Sequence, residues 1–154
     1  MLYLGIDPGR HGAIAAITDT REIVLLANLP WFEDGRHDPH ALTSFLDGLP
    51  EQQFFSVLEN STARIPNARS LMMLGKSFGS VASVLDLRSQ ILRTPQPSAW
   101  KAHMGVTADK NSSVLLAREL FRGLPGRLRN DMAEALLLAE YGRSTHLAED
   151  ARRA

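Results

Sequence analysis

The sequence contains no cysteine. Disulfides, iron–sulfur clusters and thiolate zinc sites are therefore excluded. Any bound metal must sit on oxygen or imidazole, which tilts the choice towards Mg²⁺ or Mn²⁺. No apolar run approaches the roughly 20 residues that a membrane-spanning helix needs, so no membrane partner is expected. No basic segment precedes Met1-Leu2-Tyr3, which passes straight into a strand pattern. No targeting signal is read there, and a cytoplasmic location is expected. Internal repeats and low-complexity segments are also lacking.

Net charge is absent too, at +0, but the neutrality hides an uneven distribution. Residues 1–60 carry three Arg against nine acids, a net of −6. Residues 61–130 carry eleven Lys or Arg against three acids, a net of +8, and residues 131–154 return −2. The middle segment can form a phosphate-binding face on a neutral molecule. Chance clustering of surface Arg is the competing reading.

The 154 residues, 44% hydrophobic and 22% charged, suit one soluble domain with a full-sized core. A single domain over residues 1–143 is expected, with a polar, frayed tail over 144–154. Residues 2–7, 12–18 and 22–29 read as three strands joined by short turns, an antiparallel meander. Asp38 caps a helix with Pro39 at its first position and an apolar face of Leu42, Phe45, Leu46 and Leu49. Residues 54–59 form another strand, 60–67 a loop, 68–87 a long helix of small and apolar residues, and 91–94 a short strand. A helical turn over 98–103 and helices over 111–121 and 131–141 follow. The fold class is α/β: a mixed five-stranded sheet, three antiparallel strands and then parallel ones, flanked by helices.

Four acids stand out. Asp7 ends the first strand before Pro8-Gly9, where open α/β sheets place their sites; an ordinary turn former has the same appearance. Glu59 ends an apolar strand and is either a site residue or the first residue of a loop. Asp131 and Glu134 share one face at the start of the last helix. A helix-dipole role explains Asp131 well and Glu134 less well, because Glu134 borders the apolar run at 135–139. Four converging carboxylates resist joint ionisation. Two Mg²⁺ ions about 3.5–4 Å apart would neutralise them and hydrolyse a phosphodiester.

Basic candidates accompany the acids. Lys110 opens a helix and could neutralise a phosphate near such ions, against the reading of a solvated helix-start lysine. Lys101 follows Trp100, itself readable as core. Arg64, Arg69, Lys76 and Arg88 fall on or beside the long helix and could line a DNA channel. His103 reads as a surface imidazole rather than a base.

Taken in order, five segments resemble RuvC-type Holliday-junction resolvases of the ribonuclease H-like superfamily. They are Gly5-Ile6-Asp7-Pro8-Gly9, Val57-Leu58-Glu59, residues 73–79, residues 94–101 with Gly105, Asp109 and Lys110, and residues 131–136. The last is most similar to phage and organellar members. Together they span residues 2–142. The resemblance implies a homodimer, formed through the long small-residue helix, that resolves four-way DNA junctions by paired nicking in recombination and repair. It implies two divalent metals, Mg²⁺ or substituting Mn²⁺, on Asp7, Glu59, Asp131 and Glu134. Lys110 is then expected near the scissile phosphate, and Arg64, Arg69, Lys76 and Lys101 on the DNA. The chain departs from bacterial members in lacking an aromatic residue shortly after Glu59, and in carrying Glu134 where they tend to have Asp.

Three other readings compete. An actin-like or sugar-kinase ATPase needs a second similar half, for which 154 residues leave no room. A ribonuclease H-like nuclease acting on RNA, flaps or single strands would keep the same chemistry. A non-catalytic DNA-binding module would not need all four acids.

Overall fold

The computed structural model describes residues 1–9, 11–60, 67–107 and 109–153, with the side chain of Lys110 left out. Arg64 therefore lies outside the described residues. In chain order the elements are β1 (Leu2–Ile6), β2 (Ala13–Ile17), β3 (Ile23–Asn28), α1 (Pro39–Asp47), β4 (Phe54–Leu58), α2 (Ala68–Arg88), β5 (Ile91–Arg93), α3 (Pro97–Met104), α4 (Lys110–Leu120) and α5 (Asn130–Arg153). The five strands form one sheet in the order β3-β2-β1-β4-β5. β1, β2 and β3 pair antiparallel, while β4 and β5 run parallel to β1. This is the mixed sheet expected from the sequence.

Alternation along β1 assigns its side chains to two layers. Leu2, Leu4 and Ile6 join Leu42, Leu46, Val81 and Leu85 in a core beneath α1 and α2. Tyr3 faces the opposite core, with Trp100, Ala117 and the α5 residues Ala135, Leu136 and Leu138. Gly5 lies on that second face, and the backbone of α5 passes directly over it. A Cβ at Gly5 would stand 2.0 Å from the Ala135 carbonyl oxygen and 2.3 Å from the Ala139 nitrogen. Only a residue without a side chain permits this approach, which sets the height and direction of α5 on the sheet. Gly142 repeats the device one layer on: its Cβ would meet Val57 Cγ2 at 2.7 Å.

Residues 144–153, expected to fray, continue α5 as helix. Their polar composition conceals specific contacts back to the sheet. His146 Nδ1 lies 3.0 Å from the Tyr3 hydroxyl, and Arg93 donates two hydrogen bonds to Glu149 at 2.9 and 2.7 Å. Buried Glu140 accepts from Arg21 and Arg143, fastening the middle of the helix to the β2–β3 turn. Among the described residues, no helix is long and apolar enough to cross a membrane.

Candidate active site

The parallel register of β1 and β4 pairs Ile6 with Leu58. Asp7 and Glu59 therefore leave adjacent strands at the same step, at the carboxyl edge of the sheet. The ladder extends one bond further, from Glu59 N to the Ile6 carbonyl at 3.0 Å. Asp7 is held in turn by its amide, which donates to the Ala13 carbonyl at 3.0 Å. Its Oδ1 accepts from Gly9 N at 2.9 Å.

α5 brings the other two acids. Because Ala135 and Leu138 sit over Gly5, the preceding turn carries Asp131 and Glu134 towards the strand ends, on one helix face. Electrostatics register the convergence. Burial pushes the Asp7 carboxyl up to about 6; the Gly9 hydrogen bond opposes this, and the charges of Glu59, Glu134 and Asp131 add to it. The other three acids singled out in the sequence thus all bear on Asp7.

Three of them are also engaged by protein donors. Trp100 is fully buried and donates its indole N–H to Glu59 Oε2 at 2.7 Å. The core reading of Trp100 is therefore incomplete, since the residue also fixes a carboxylate. Its neighbour Lys101 places Nζ 2.8 Å from Glu134 Oε1 and 5.2 Å from the Trp100 ring centroid. Ser113 Oγ stands 3.4 Å from the same Glu134 oxygen.

Arg129 grips Asp131 through Nε at 3.2 Å and Nη2 at 2.5 Å. That Nη2 also donates to Asn28 Oδ1 at 2.8 Å and approaches the His11 carbonyl at 3.4 Å. One guanidinium thereby links α5 to the end of β3 and to the β1–β2 turn. Arg129 is not among the basic candidates singled out in the sequence. Its position two residues before an acid at a helix start was the available signal.

The basic candidates divide. Arg69 and Lys76 line clefts on the side of α2 facing residues 31–37. Arg88 does not join them. It pairs with Asp47 at 2.6 Å and Gln52 at 2.9 Å, beside Gln90, whose amide bonds to Phe54 at the opposite edge of the sheet. It ties α2 to α1 and is removed from the DNA-channel set. Lys110 begins α4 behind its cap Asp109. His103 is exposed and bonds to Ser144 at 3.2 Å.

Four carboxylates around one point suit a hard divalent cation in donor chemistry. As they stand, no three of the described His, Asp and Glu side chains are set to hold one. The hydrogen bonds above give the reason: Glu134, Asp131 and Glu59 are turned towards Lys101, Arg129 and Trp100. The donor set fits in kind, and two basic side chains supply positive charge beside it.

No family model matches the sequence, and no curated protein matches it either. Solved structures do. The chain is similar to T. thermophilus RuvC in complex with a Holliday junction substrate, with a TM-score of 0.70 and 13% identity over 96% of both chains. It is similar to a further Thermus thermophilus RuvC structure, with a TM-score of 0.64 and 14% identity over 96% of this chain and 97% of the other. The chain has the ribonuclease H-like fold of RuvC over nearly its whole length.

Proposed function

We propose that this protein is a divalent-metal-dependent endonuclease that resolves four-way DNA junctions by paired nicking. The observation that carries the reading is the convergence of Asp7, Glu59, Asp131 and Glu134 on a fold shared end to end with RuvC. One of those RuvC structures contains a Holliday junction.

Asp7, Glu59, Asp131 and Glu134 would hold the metal, two Mg²⁺ per site with Mn²⁺ able to substitute. Metal bound there supplies Lewis acidity towards a phosphodiester and lowers the pKa of a water. The chain's own residues supply the rest. Trp100 holds Glu59 in one orientation. Lys101 and Arg129 keep Glu134 and Asp131 beside Asp7 despite their like charge. Lys110, at the start of α4, is assigned to the scissile phosphate, with Lys101 beside it. Arg64, Arg69 and Lys76 are assigned to the DNA backbone, where their contribution would be salt-dependent.

Paired nicking requires two sites, and the exposed stripe of α2 supports a homodimer. Leu71 and Met72 are 52% and 53% exposed, and nothing lies within 4 Å of a Cβ built at Gly75 or Gly79. We assign the protein to the cytoplasm of a bacterial or phage-infected cell, where it would act in recombination and repair.

The test is a cleavage assay in Mg²⁺ comparing a four-way junction with duplex, flap and RNA–DNA hybrid of one sequence. Symmetric nicks confined to the junction are expected. Preferential cutting of the hybrid or flap would reassign the substrate, and no cutting of any would remove the nuclease reading.

A further inference from the structure

Between β3 and α1 the chain forms a small hairpin that the acidic site does not use. Trp31 and His37 make an isolated antiparallel bridge, and the Asp38 amide closes its base onto the Pro30 carbonyl at 3.0 Å. Phe32 N donates to the Arg36 carbonyl at 2.8 Å, and Gly35 turns the chain at a φ of 82°, a conformation that favours glycine. The hairpin is fastened to α2 by His37 Nδ1 and Ser80 Oγ, 2.9 Å apart.

A cleft of about 400 Å³ opens between this hairpin and α2, lined by Phe32, Arg36, Met73 and Lys76 among others, with no carboxylate in its lining. A second, of about 450 Å³, shares Trp31, Gly35, Met73 and Ser77 with it and extends to Pro8. Glu33 and Asp34 face Arg69 in that second part. The two form one channel that begins one residue from Asp7, where Ser77 Oγ donates to the Pro8 carbonyl at 3.1 Å.

The chemistry of the far part is specific. Phe32 is 37% exposed, which leaves part of its ring open to the cleft. The Arg36 guanidinium lies 5.3 Å from its ring centroid and is paired with Asp34 Oδ2 at 2.7 Å, so it braces the ring while Lys76 supplies the positive charge in the cleft lining. Trp31 and His37 also line the cleft, with Trp31 Nε1 and His37 Nε2 buried and without a protein hydrogen-bond partner among the described residues. Such groups are uncommon in native interiors. An exposed aromatic face beside positive charge along an open groove is the combination with which proteins hold single-stranded nucleic acid.

We propose that the cleft between the 31–37 hairpin and α2 receives an unpaired nucleotide of the DNA, its base stacked on Phe32 and its phosphate on Lys76. The inference rests on the nuclease reading, because continuity with Asp7 is what selects a DNA strand as the occupant. An unpaired nucleotide, rather than duplex, fits a cleft of this volume walled on both sides.

The experiment uses the full chain in chelator, so that nothing is cut. Four-way junctions carry 2-aminopurine at successive positions from the crossover, and a short single-stranded oligonucleotide carries it centrally. Binding is expected to quench one junction position by stacking. Phe32→Ala should abolish that quenching and weaken oligonucleotide binding roughly five- to a hundredfold. Phe32→Trp should restore both. Lys76→Gln should weaken binding and reduce the salt slope by about one. Both positions are exposed, and circular dichroism confirms the fold of each variant. If neither Phe32→Ala nor Lys76→Gln alters quenching or affinity, the cleft is not a nucleotide site. The Mg²⁺ cleavage assay separates the two readings. A wild-type protein that cuts junctions while the variants bind normally overturns the cleft alone. Phe32-dependent binding by a protein that cuts nothing overturns the nuclease reading and keeps the cleft.

Discussion

Lys101 Nζ stands 2.8 Å from Glu134 Oε1, so a residue of α3 pairs with the acid on α5 whose charge bears on Asp7. The pair is partly buried, with Lys101 29% and Glu134 13% exposed. A cation entering the site must share Glu134 with Lys101 or displace it. Lys101→Met keeps the aliphatic stem and removes the charge. We expect the variant to bind Mn²⁺ several-fold more tightly than wild type by calorimetric titration, on the order of 1 kcal/mol for losing one partly exposed competitor. Equal or weaker Mn²⁺ binding would show that the ion pair does not compete for the metal.

Asp7 carries a distinct pH signature. Its folded value near 6 lies above the ordinary 3.8, mainly through burial. The folded chain therefore holds this proton more tightly than the unfolded chain. The penalty of ionising Asp7 is complete above about pH 6 and fades as pH falls towards 3.8. Two units correspond to about 3 kcal/mol at most. Asp7→Asn removes the charge at every pH. Without metal, the variant should resist urea better than wild type at pH 8, and the gap should close near pH 4. In Mg²⁺ it should lose junction cleavage by orders of magnitude yet bind junctions nearly as well. A variant that cuts at the wild-type rate would remove Asp7 from the site.

The acids were legible because each sits at an element end that local pattern marks: Asp7 and Glu59 close apolar strands, and Asp131 opens a helix. Their partners were not. Trp100 and Lys101 lie 41 and 33 residues from the carboxylates they hold, and no local periodicity encodes a contact across that distance. Arg129 was hidden for a related reason, since its guanidinium reaches Asn28 and His11, 101 and 118 residues away. The antiparallel meander of the first three strands followed readily from turn chemistry, whereas the last ten residues of α5 did not. Their stability comes from Tyr3–His146 and Arg93–Glu149 contacts rather than from an apolar stripe.

Trp100→Phe isolates one of those hidden contacts. The ring bulk stays in the core while the N–H that reaches Glu59 is lost. A hydrogen bond to a charged group of this kind contributes about 1.5–3 kcal/mol. A loss of that size in urea unfolding, with unchanged far-ultraviolet circular dichroism, is the expected outcome. An unchanged midpoint would mean that Glu59 is held adequately without the indole. Under the nuclease reading the same variant should also cleave more slowly.

The glycines give opposed predictions from one kind of substitution. Gly5→Ala drives a methyl to within 2.0 Å of the Ala135 carbonyl, and backbone cannot yield as a flexible side chain can. Lifting α5 should cost about 3 kcal/mol or more and carry Asp131 and Glu134 away from Asp7. Cleavage should therefore fall further than stability alone explains. Gly75 and Gly79, four residues apart on α2, meet nothing within 4 Å, so Ala at either should strengthen the isolated helix by about 0.5–1 kcal/mol. If α2 pairs with a second copy through this stripe, a larger residue must disrupt the pairing while leaving the monomer folded. Gly79→Leu is the decisive variant. Sedimentation should show wild type as a dimer and Gly79→Leu as a folded monomer that binds a four-way junction but no longer nicks both strands together. Wild type remaining monomeric at micromolar concentration would remove the dimer, and Gly79→Leu remaining dimeric would move the interface off α2.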